Sequence, residues 1–377
     1  MVLNKRVILA LIFAAFSVFM ISSCSDWPYK PTQFVAPIPP PPANAFVSKD
    51  SLASFVGTSN VTLAYTKTIP GGTQVLYFVD FTDSIVSPKL LKRPADKQDW
   101  AVWCPIISSK GTLVTYYLID PSNSKHAAAY CQKLDTNAVP NLIDDPGSDP
   151  HFIDSASNLY ISYADTTDIL IADYKTLTTR HTYKVQINPA TGQIIGTKTL
   201  LAPFPFYGGL SYDSKYICTG YANAYIYNTI SQIFFPINTG LQTCNPSTTP
   251  DSLKTGQMMF LNIGGTQNML NMPAAIASGA GEHMYVFIAD TTNTLIKSFS
   301  LVDMLPGYFG GEWQCPKWTN NAGYFCALAT KATTADVVVY DCFLISITSG
   351  KTLLLNTKST LLQFNSNSKP YVYIGGK

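Results

Sequence analysis

The chain has 377 residues and a nearly balanced charge, with 25 lysines and arginines against 23 aspartates and glutamates. This balance excludes a nucleic-acid-binding protein, because neutralising phosphates requires a strongly basic surface. Only two of the acidic residues are glutamates, Glu282 and Glu312, whereas the chain contains 22 tyrosines and 20 phenylalanines. Glutamate favours helices and aromatic residues favour strands, so the composition predicts a mostly β protein.

The first 24 residues have the order of an export signal. Lys5 and Arg6 provide a positive start, and residues 7–21 form an uncharged apolar run. This run of about 15 residues is shorter than the roughly 20 that span a bilayer as a helix. The sequence Ile21-Ser22-Ser23-Cys24 follows, and it resembles the lipobox of bacterial lipoproteins. That resemblance implies cleavage before Cys24 and acylation of its thiol. The alternative is an ordinary secretory signal with an incidental cysteine.

The next residues are predicted to tether a folded domain to the membrane through the lipid. Pro39 to Pro42 are four consecutive prolines, which favour the extended polyproline II conformation of a semi-rigid spacer. Ser25, rather than an aspartate, follows Cys24. This favours the outer membrane of a Gram-negative-type cell envelope under the sorting rule of enteric bacteria. The expected division is a signal peptide over residues 1–23, a lipidated linker over 24–45 and a folded domain over 46–377.

From residue 46 onward, short strand-like segments alternate with polar turns in a repeated order. Each unit has a short strand that begins near a proline or glycine, a tight polar turn and a longer apolar strand. The spacing of about 43 to 65 residues between units suits a four-stranded propeller blade. The units begin at residues 105, 150, 208, 273 and 316. This order resembles the repeat of TolB-like and WD40-like β-propellers, most closely from Cys315 to Leu328, and the resemblance implies a propeller fold.

The two ends of the domain supply one further blade. Leu362–Phe364 and Tyr371–Ile374 are predicted strands near the C terminus, and Val61–Tyr65 and Val75–Phe81 are predicted strands near the start. Because an unpaired sheet edge is unfavourable, we expect both ends to build one composite blade. The prediction is an all-β propeller of six four-stranded blades, or seven if the N-terminal strands form their own. The alternative is a β-sandwich.

Sequence motifs for catalysis or metal binding are absent from the chain. The four histidines form no HExxH or HxH pair, and there is no GxSxG, P-loop or GxGxxG motif. The seven cysteines besides Cys24 lack zinc-ligand spacing, and we expect most of them to be buried thiols, with any pairing left open. The aspartate-rich residues 144–149 fit an inter-blade turn better than a Ca²⁺ site. The sequence therefore predicts no metal and no cofactor.

Two polar residues occupy one repeat position on predicted inner strands. His151 and Lys317 each follow a repeated proline, which makes them candidate ligand or partner contacts facing the central channel. Trp103 and Trp313 flank such strands and are further candidates for stacking on a sugar or anchoring a partner. The alternatives are a surface or inter-blade position for the polar residues and a core position for the tryptophans.

The repeat position itself gives little support for catalysis, because it lacks carboxylates. Its five predicted occupants are Ile106, His151, Gly209, Ala274 and Lys317. The sequence therefore predicts a monomeric, non-enzymatic binding module, held at the membrane by its lipid and facing an envelope protein or a polysaccharide. A purely structural envelope component is not separable from this function by sequence. The alternative is a propeller hydrolase or lyase with its site in the central channel.

Overall fold

The computed structural model describes residues 45–69, 72–154, 158–166, 180–211, 213–220, 224–238, 243–278, 281–334, 337–356, 364–365 and 368–375. The predicted signal peptide, Cys24 and the proline-rich tether up to residue 44 lie outside the described residues. Over the described part of the chain, no helix is long and apolar enough to cross a membrane.

The fold is a ring of antiparallel sheets, each of which is one blade. Blade 1 contains β1 (Val61–Thr68), β2 (Gln74–Asp80) and β3 (Lys89–Leu90), and blade 2 contains β4 (Ala101–Ile107), β5 (Leu113–Asp120), β6 (Asn123–Lys133) and β7 (Asn141–Asp144). Blade 3 contains β8 (Ser148–Asp154), β9 (Leu159–Ala164), β10 (Thr182–Ile187) and β11 (Thr199–Ala202), and blade 4 contains β12 (Tyr216–Thr219), β13 (Ala224–Asn228) and β14 (Phe234–Ile237). Blade 5 contains β15 (Thr243–Thr248), β16 (Gln257–Asn262), β17 (Tyr285–Asp290) and β18 (Leu295–Ser300). Blade 6 contains β19 (Trp313–Trp318), β20 (Tyr324–Thr334), β21 (Val337–Ser346) and β22 (Thr352–Leu354), and the last strand, β23 (Tyr371–Ile374), joins blade 1.

Blade 4 departs from the four-stranded pattern of the others. Its innermost position is held by a single bridge between Leu210 and Ile217 instead of a full strand. Within the described residues, the ring also contains short helices outside the strands. They are α1 (Lys49–Val56), α2 (Ala274–Ala277) and α3 (Leu301–Met304), with 3₁₀ turns at Ala95–Lys97 and Pro306–Tyr308.

Neighbouring blades pack face to face through apolar side chains. The described residues form six buried apolar clusters, one at each junction between neighbouring blades. A strand such as β16 is buried along almost its whole length, because the next blade covers each face of its sheet. Burial on both faces around a closed ring confirms the predicted six-bladed propeller and rules out the β-sandwich.

The innermost strand of four blades carries the same β-bulge. In β4, β8, β15 and β19 the residue before a proline has a positive φ between 45° and 51°, and the pairing register shifts at that point. Proline has no N–H to donate to the ladder, so a bulge is one of the few places where a strand tolerates it. The pairs are Cys104-Pro105, Asp149-Pro150, Asn245-Pro246 and Cys315-Pro316.

The bulges correct one of the predicted repeat starts. Pro246, and not Pro273, lies on the inner strand of blade 5, whereas Pro273 precedes α2 in the long connection between β16 and β17. Ser247 therefore occupies the repeat position that the sequence assigned to Ala274. Both segments have a proline, a polar turn and an apolar strand in that order, so local order did not distinguish them.

β23 closes the ring as the innermost strand of blade 1. It pairs antiparallel with β1, with Val61 opposite Ile374. Asn320 of blade 6 holds the end of this strand, because its Oδ1 accepts from the Ile374 N–H at 2.7 Å and its Nδ2 donates to the Ile374 carbonyl at 2.9 Å. The predicted composite blade is confirmed. Of the predicted strand Leu362–Phe364, only Phe364 lies within the described residues.

Most of the cysteines in the described part of the chain carry free thiols. Cys131, Cys218, Cys315, Cys326 and Cys342 are buried, and Cys104 is half-buried. The prediction of buried, unpaired cysteines is confirmed for these five, as a small apolar side chain within packed sheets would lead us to expect.

Candidate functional site

The central channel holds a cavity at one end of the ring. It lies where the inner strands of the blades end, and its volume is about 190 Å³. Its wall combines apolar and aromatic side chains with hydroxyl, amide and charged groups, as binding sites for small molecules do. The lining includes His151, Asp154 and Lys317 among charged or titratable groups, Phe152, Trp318 and Tyr371 among aromatic rings, and Ser109, Thr248 and Asn320 among neutral polar groups.

Asp149 and His151 form a buried hydrogen-bonded pair in the wall of the channel. Asp149 is the bulge residue of β8, and its Oδ2 lies 3.2 Å from Nε2 of His151. The same oxygen accepts a hydrogen bond from the Gly208 N–H of blade 4 at 2.7 Å. Asp149 is 7% exposed and His151 is 8% exposed. A carboxylate this deeply buried needs such partners, because desolvation otherwise favours its neutral form.

The surroundings of the pair keep Asp149 as a carboxylate and His151 as a neutral imidazole. Burial alone would raise the pKa of Asp149, but His151, the charge of Lys317 and the Gly208 N–H hold that pKa well below its ordinary value. Burial lowers the pKa of His151, and Lys317 adds to the lowering while Asp149 opposes it. Because a carboxylate can only accept, Nε2 of the neutral imidazole carries the proton and Nδ1 keeps a lone pair. His151 is therefore poised as a base at neutral pH.

Gly209 packs closely against the imidazole of His151. Gly209 has a φ of 85°, in the left-handed region that favours glycine. A Cβ on Gly209 would lie 2.6 Å from Nδ1 of His151, closer than two unbonded atoms approach. Glycine is therefore required where the backbone of blade 4 packs against the His151 ring.

Lys317 places an ammonium group on the wall of the same cavity. It follows the bulge of β19 as His151 follows the bulge of β8, so the two predicted residues meet at the cavity from different blades. The Lys317 Nζ donates to the Pro246 carbonyl at 3.3 Å. An ammonium has three donors, and the contacts of the described residues leave some of them for a ligand.

The two predicted tryptophans do not line the cavity. Trp313 is fully buried in the cluster between blades 5 and 6, where its Nε1 donates to the Phe299 carbonyl at 3.2 Å. The structure therefore places Trp313 in the core and not at the cavity. Trp103 is half-buried, with the Lys369 ammonium 5.1 Å from its ring centre. Trp318, one repeat position along from Lys317, lines the cavity instead.

Asp149 and Asp154 are site residues that sequence reasoning missed. The prediction that residues 144–149 form a solvated turn is wrong for Asp149, which is buried in β8. Asp144 behaves differently, since it accepts from the Tyr163 hydroxyl at 2.8 Å and pairs with Lys198 at 2.9 Å. The usable signal was the place of Asp149 before a repeated proline, which marks the bulge.

The described lining residues contain no cysteine. Burial and the nearby Asp149 raise the pKa of the Cys104 thiol to about 11, although Lys317 and Lys369 oppose this. A thiol with that pKa stays protonated at neutral pH and is a poor nucleophile. Among the lining serines, Ser211 donates to Asp213 at 2.6 Å.

The other three histidines lie away from the cavity. His126 lies between Asp145 and Asp120, at 2.6 Å and 3.4 Å, and His181 lies 3.5 Å from Asp165. His283 is buried and lies 3.5 Å from the carboxylate of Glu312. Over the described residues, no group of three or more His, Cys, Asp or Glu side chains is arranged to hold a metal ion.

No protein-family model matches the sequence, and no curated protein matches it. Solved structures match its fold at low identity. A puromycin-hydrolysing peptidase of Mycobacterium tuberculosis is 11% identical with a TM-score of 0.40, over 79% of this chain and 46% of that chain. A structure from a study of two prolyl endopeptidases is 10% identical with a TM-score of 0.42, over 79% and 49%. A putative 6-phosphogluconolactonase from Bacteroides fragilis is 14% identical with a TM-score of 0.37, over 83% and 97%. The chain thus spans about half the length of the two peptidases, and the likeness concerns the fold alone.

The prediction of a non-enzymatic binding module is corrected. The solved structures that match include a puromycin-hydrolysing peptidase and a prolyl endopeptidase, whereas the sequence predicted a binding module. The prediction considered one repeat position per blade, and that position does lack carboxylates. It did not consider the neighbouring positions, where Asp149 pairs with His151 beside the cavity and Asp154 lines the cavity.

Proposed function

We propose that this protein is a hydrolase whose active site is the cavity in the central channel. The observation that carries the proposal is the buried Asp149–His151 pair, whose histidine lines the same cavity as Lys317. A base oriented by a carboxylate, beside a cation, suits the activation of water for attack on an acyl carbon. Carboxylic esters, including lactones, are the substrate class that this chemistry favours.

The proposed reaction uses each group once. His151 Nδ1 removes a proton from a water molecule, and the water oxygen forms a bond to the acyl carbon. Asp149 accepts the hydrogen bond from Nε2 and stabilises the imidazolium that forms. The carbonyl electrons move onto the carbonyl oxygen, where the Lys317 ammonium stabilises the negative charge. When these electrons return, the bond to the leaving oxygen breaks. The leaving oxygen takes up a proton, which balances the proton that His151 removed from water, and a carboxylic acid and an alcohol are released.

Hydrolysis of 4-nitrophenyl acetate and of small lactones by the purified full-length chain tests this proposal. His151→Gln should lower kcat/KM by about 10²- to 10⁴-fold, the usual contribution of a general base. Lys317→Met should lower it by about 10²-fold, as the loss of one oxyanion partner does. His126→Gln changes a histidine that is 36% exposed and lies outside the cavity, so its activity should equal that of the wild type. Undiminished hydrolysis by His151→Gln would refute the proposal.

We also propose that the protein is a lipoprotein that carries its propeller at the outer membrane of the cell envelope. The sequence Ile21-Ser22-Ser23-Cys24 after an apolar run supports acylation of Cys24. Several acyl chains on one residue anchor firmly, since each buried CH₂ contributes about 0.8 kcal/mol. The repeat order supports a TolB-like ancestry. In this arrangement the prolines from Pro39 to Pro42 hold a monomeric hydrolase away from the bilayer.

A further inference from the structure

The last strand of the ring places a tyrosine on the wall of the cavity. Tyr371 is the first residue of β23 and lines the cavity together with His151 and Lys317. Side chains alternate along a strand. Tyr371 and Tyr373 pack in the apolar cluster between blades 1 and 2, whereas Val372 packs on the opposite face, in the cluster between blades 1 and 6. Tyr371 is thereby fixed against blade 2, with only 6% of its surface exposed.

Within the described residues, the hydroxyl of Tyr371 has no hydrogen-bond partner. It is also not one of the fully enclosed polar atoms that lack a partner there, so it reaches space that water can enter. Because the packed ring of Tyr371 lines the cavity, that space is the cavity. A tyrosine hydroxyl in this position can donate a hydrogen bond to a bound molecule.

Other polar groups on the same wall are already committed to protein partners. Thr248 donates its hydroxyl to the Gly208 carbonyl at 3.1 Å, and Thr319 donates to the Asn321 carbonyl at 2.7 Å. The amide of Asn320 holds the end of β23 through both of its polar atoms. These groups shape the wall, whereas the tyrosine hydroxyl is left for a ligand. A donor with so little access to water gains from an acceptor in the cavity.

Burial keeps this hydroxyl a donor. It raises the pKa of Tyr371, and the thiol of Cys326 raises it further. The phenol therefore stays protonated at neutral pH. The oxygens of an ester can only accept hydrogen bonds, so an ester in the cavity is complementary to this donor.

We propose that Tyr371 positions the ester in the cavity by donating a hydrogen bond from its hydroxyl to an oxygen of the bound substrate. This role rests on the proposed ester hydrolysis at His151. A hydrogen bond made equally to the bound ester and to the transition state strengthens binding without changing the chemical step. The strand that closes the ring therefore also holds the substrate.

Removal of one hydroxyl tests this role. Tyr371→Phe keeps the packed ring, and it should raise the KM of the full-length chain for 4-nitrophenyl acetate by about 3- to 10-fold, the effect of one lost hydrogen bond. Its kcat and its urea unfolding midpoint should match those of the wild type. Tyr373→Phe is the matched control, because Tyr373 lies on the same strand and in the same cluster but does not line the cavity. Its KM and kcat should equal those of the wild type.

The outcomes separate this inference from the proposed function. An unchanged KM in Tyr371→Phe, a loss of kcat instead, or an equal rise of KM in Tyr373→Phe overturns the role of Tyr371, while His151→Gln still reports on the base. A lower unfolding midpoint in Tyr371→Phe also overturns it, because the hydroxyl then supports the fold. Failure of the wild-type chain to hydrolyse the ester overturns both proposals. A rise of KM confined to Tyr371→Phe, together with a loss of kcat/KM in His151→Gln, supports both.

Discussion

Removal of buried atoms from β23 tests whether the C-terminal strand closes the ring. Ile374 is 6% exposed, pairs with Val61 and belongs to the apolar cluster between blades 1 and 6. Ile374→Ala removes most of this side chain, and such truncations in protein cores cost about 2–5 kcal/mol. A frayed terminal tail would lose almost nothing. The free energy of unfolding should therefore fall by about 2–5 kcal/mol.

A matched variant isolates the effect of burial. Ile230 is 76% exposed, so Ile230→Ala removes the same atoms from the surface and should change stability by less than about 0.5 kcal/mol. Urea unfolding of both variants and the wild type, followed by tryptophan fluorescence, gives the free energies. Equal unfolding midpoints for Ile374→Ala and Ile230→Ala would refute closure by β23.

Deleting the whole strand extends the same reasoning. All four residues of β23 are buried, and each buried side chain of this size contributes about 1.5–3 kcal/mol. Their sum is comparable with the total stability of a typical domain, about 5–15 kcal/mol. Truncation after Pro370 should therefore give an aggregated or protease-sensitive product. A truncated chain with the proteolysis pattern of the wild type would contradict this expectation.

Three further predictions concern the site and the anchor. Gly209→Ala should lower kcat/KM for ester hydrolysis by about 10²-fold, because the new Cβ would lie 2.6 Å from His151 Nδ1 and displace the ring. Gly310→Ala is the control and should retain kcat/KM. Gly310 also has a positive φ, but no atom lies within 4 Å of where its Cβ would be. The free energy of unfolding should fall as the pH drops below about 4, the ordinary range of aspartate, because the lowered pKa of Asp149 stabilises the fold only while the carboxylate is ionised. Urea titrations at several pH values should show a weaker acid dependence in Asp149→Asn, and an unchanged slope would remove Asp149 from this account. Cys24→Ala should move the protein from the detergent phase to the aqueous phase in a detergent-partition assay, and identical partitioning of variant and wild type would rule out the lipid anchor.

Several features followed from the sequence because local physics determines them. The prolines at positions 105, 150 and 316 stand in the same local order, and the structure places each at the bulge of an inner strand. The composite blade followed from a general constraint, since an open ring would leave the apolar faces of its first and last blades exposed to water. The shared repeat position of His151 and Lys317 predicted that both face the central channel, and the structure places both on one cavity.

Only the tertiary structure decided which chemistry that cavity holds. Asp149 pairs with His151 two residues away because the bulge reorients its side chain, and its second partner, the Gly208 N–H, lies 59 residues further along the chain. Trp313 was a candidate ligand in sequence, but the packing of blade 5 against blade 6 buries it completely. Strand periodicity specifies which residues alternate along a blade. The partners of a channel residue come from neighbouring blades, and their identity depends on how the closed ring sets one inner strand against the next.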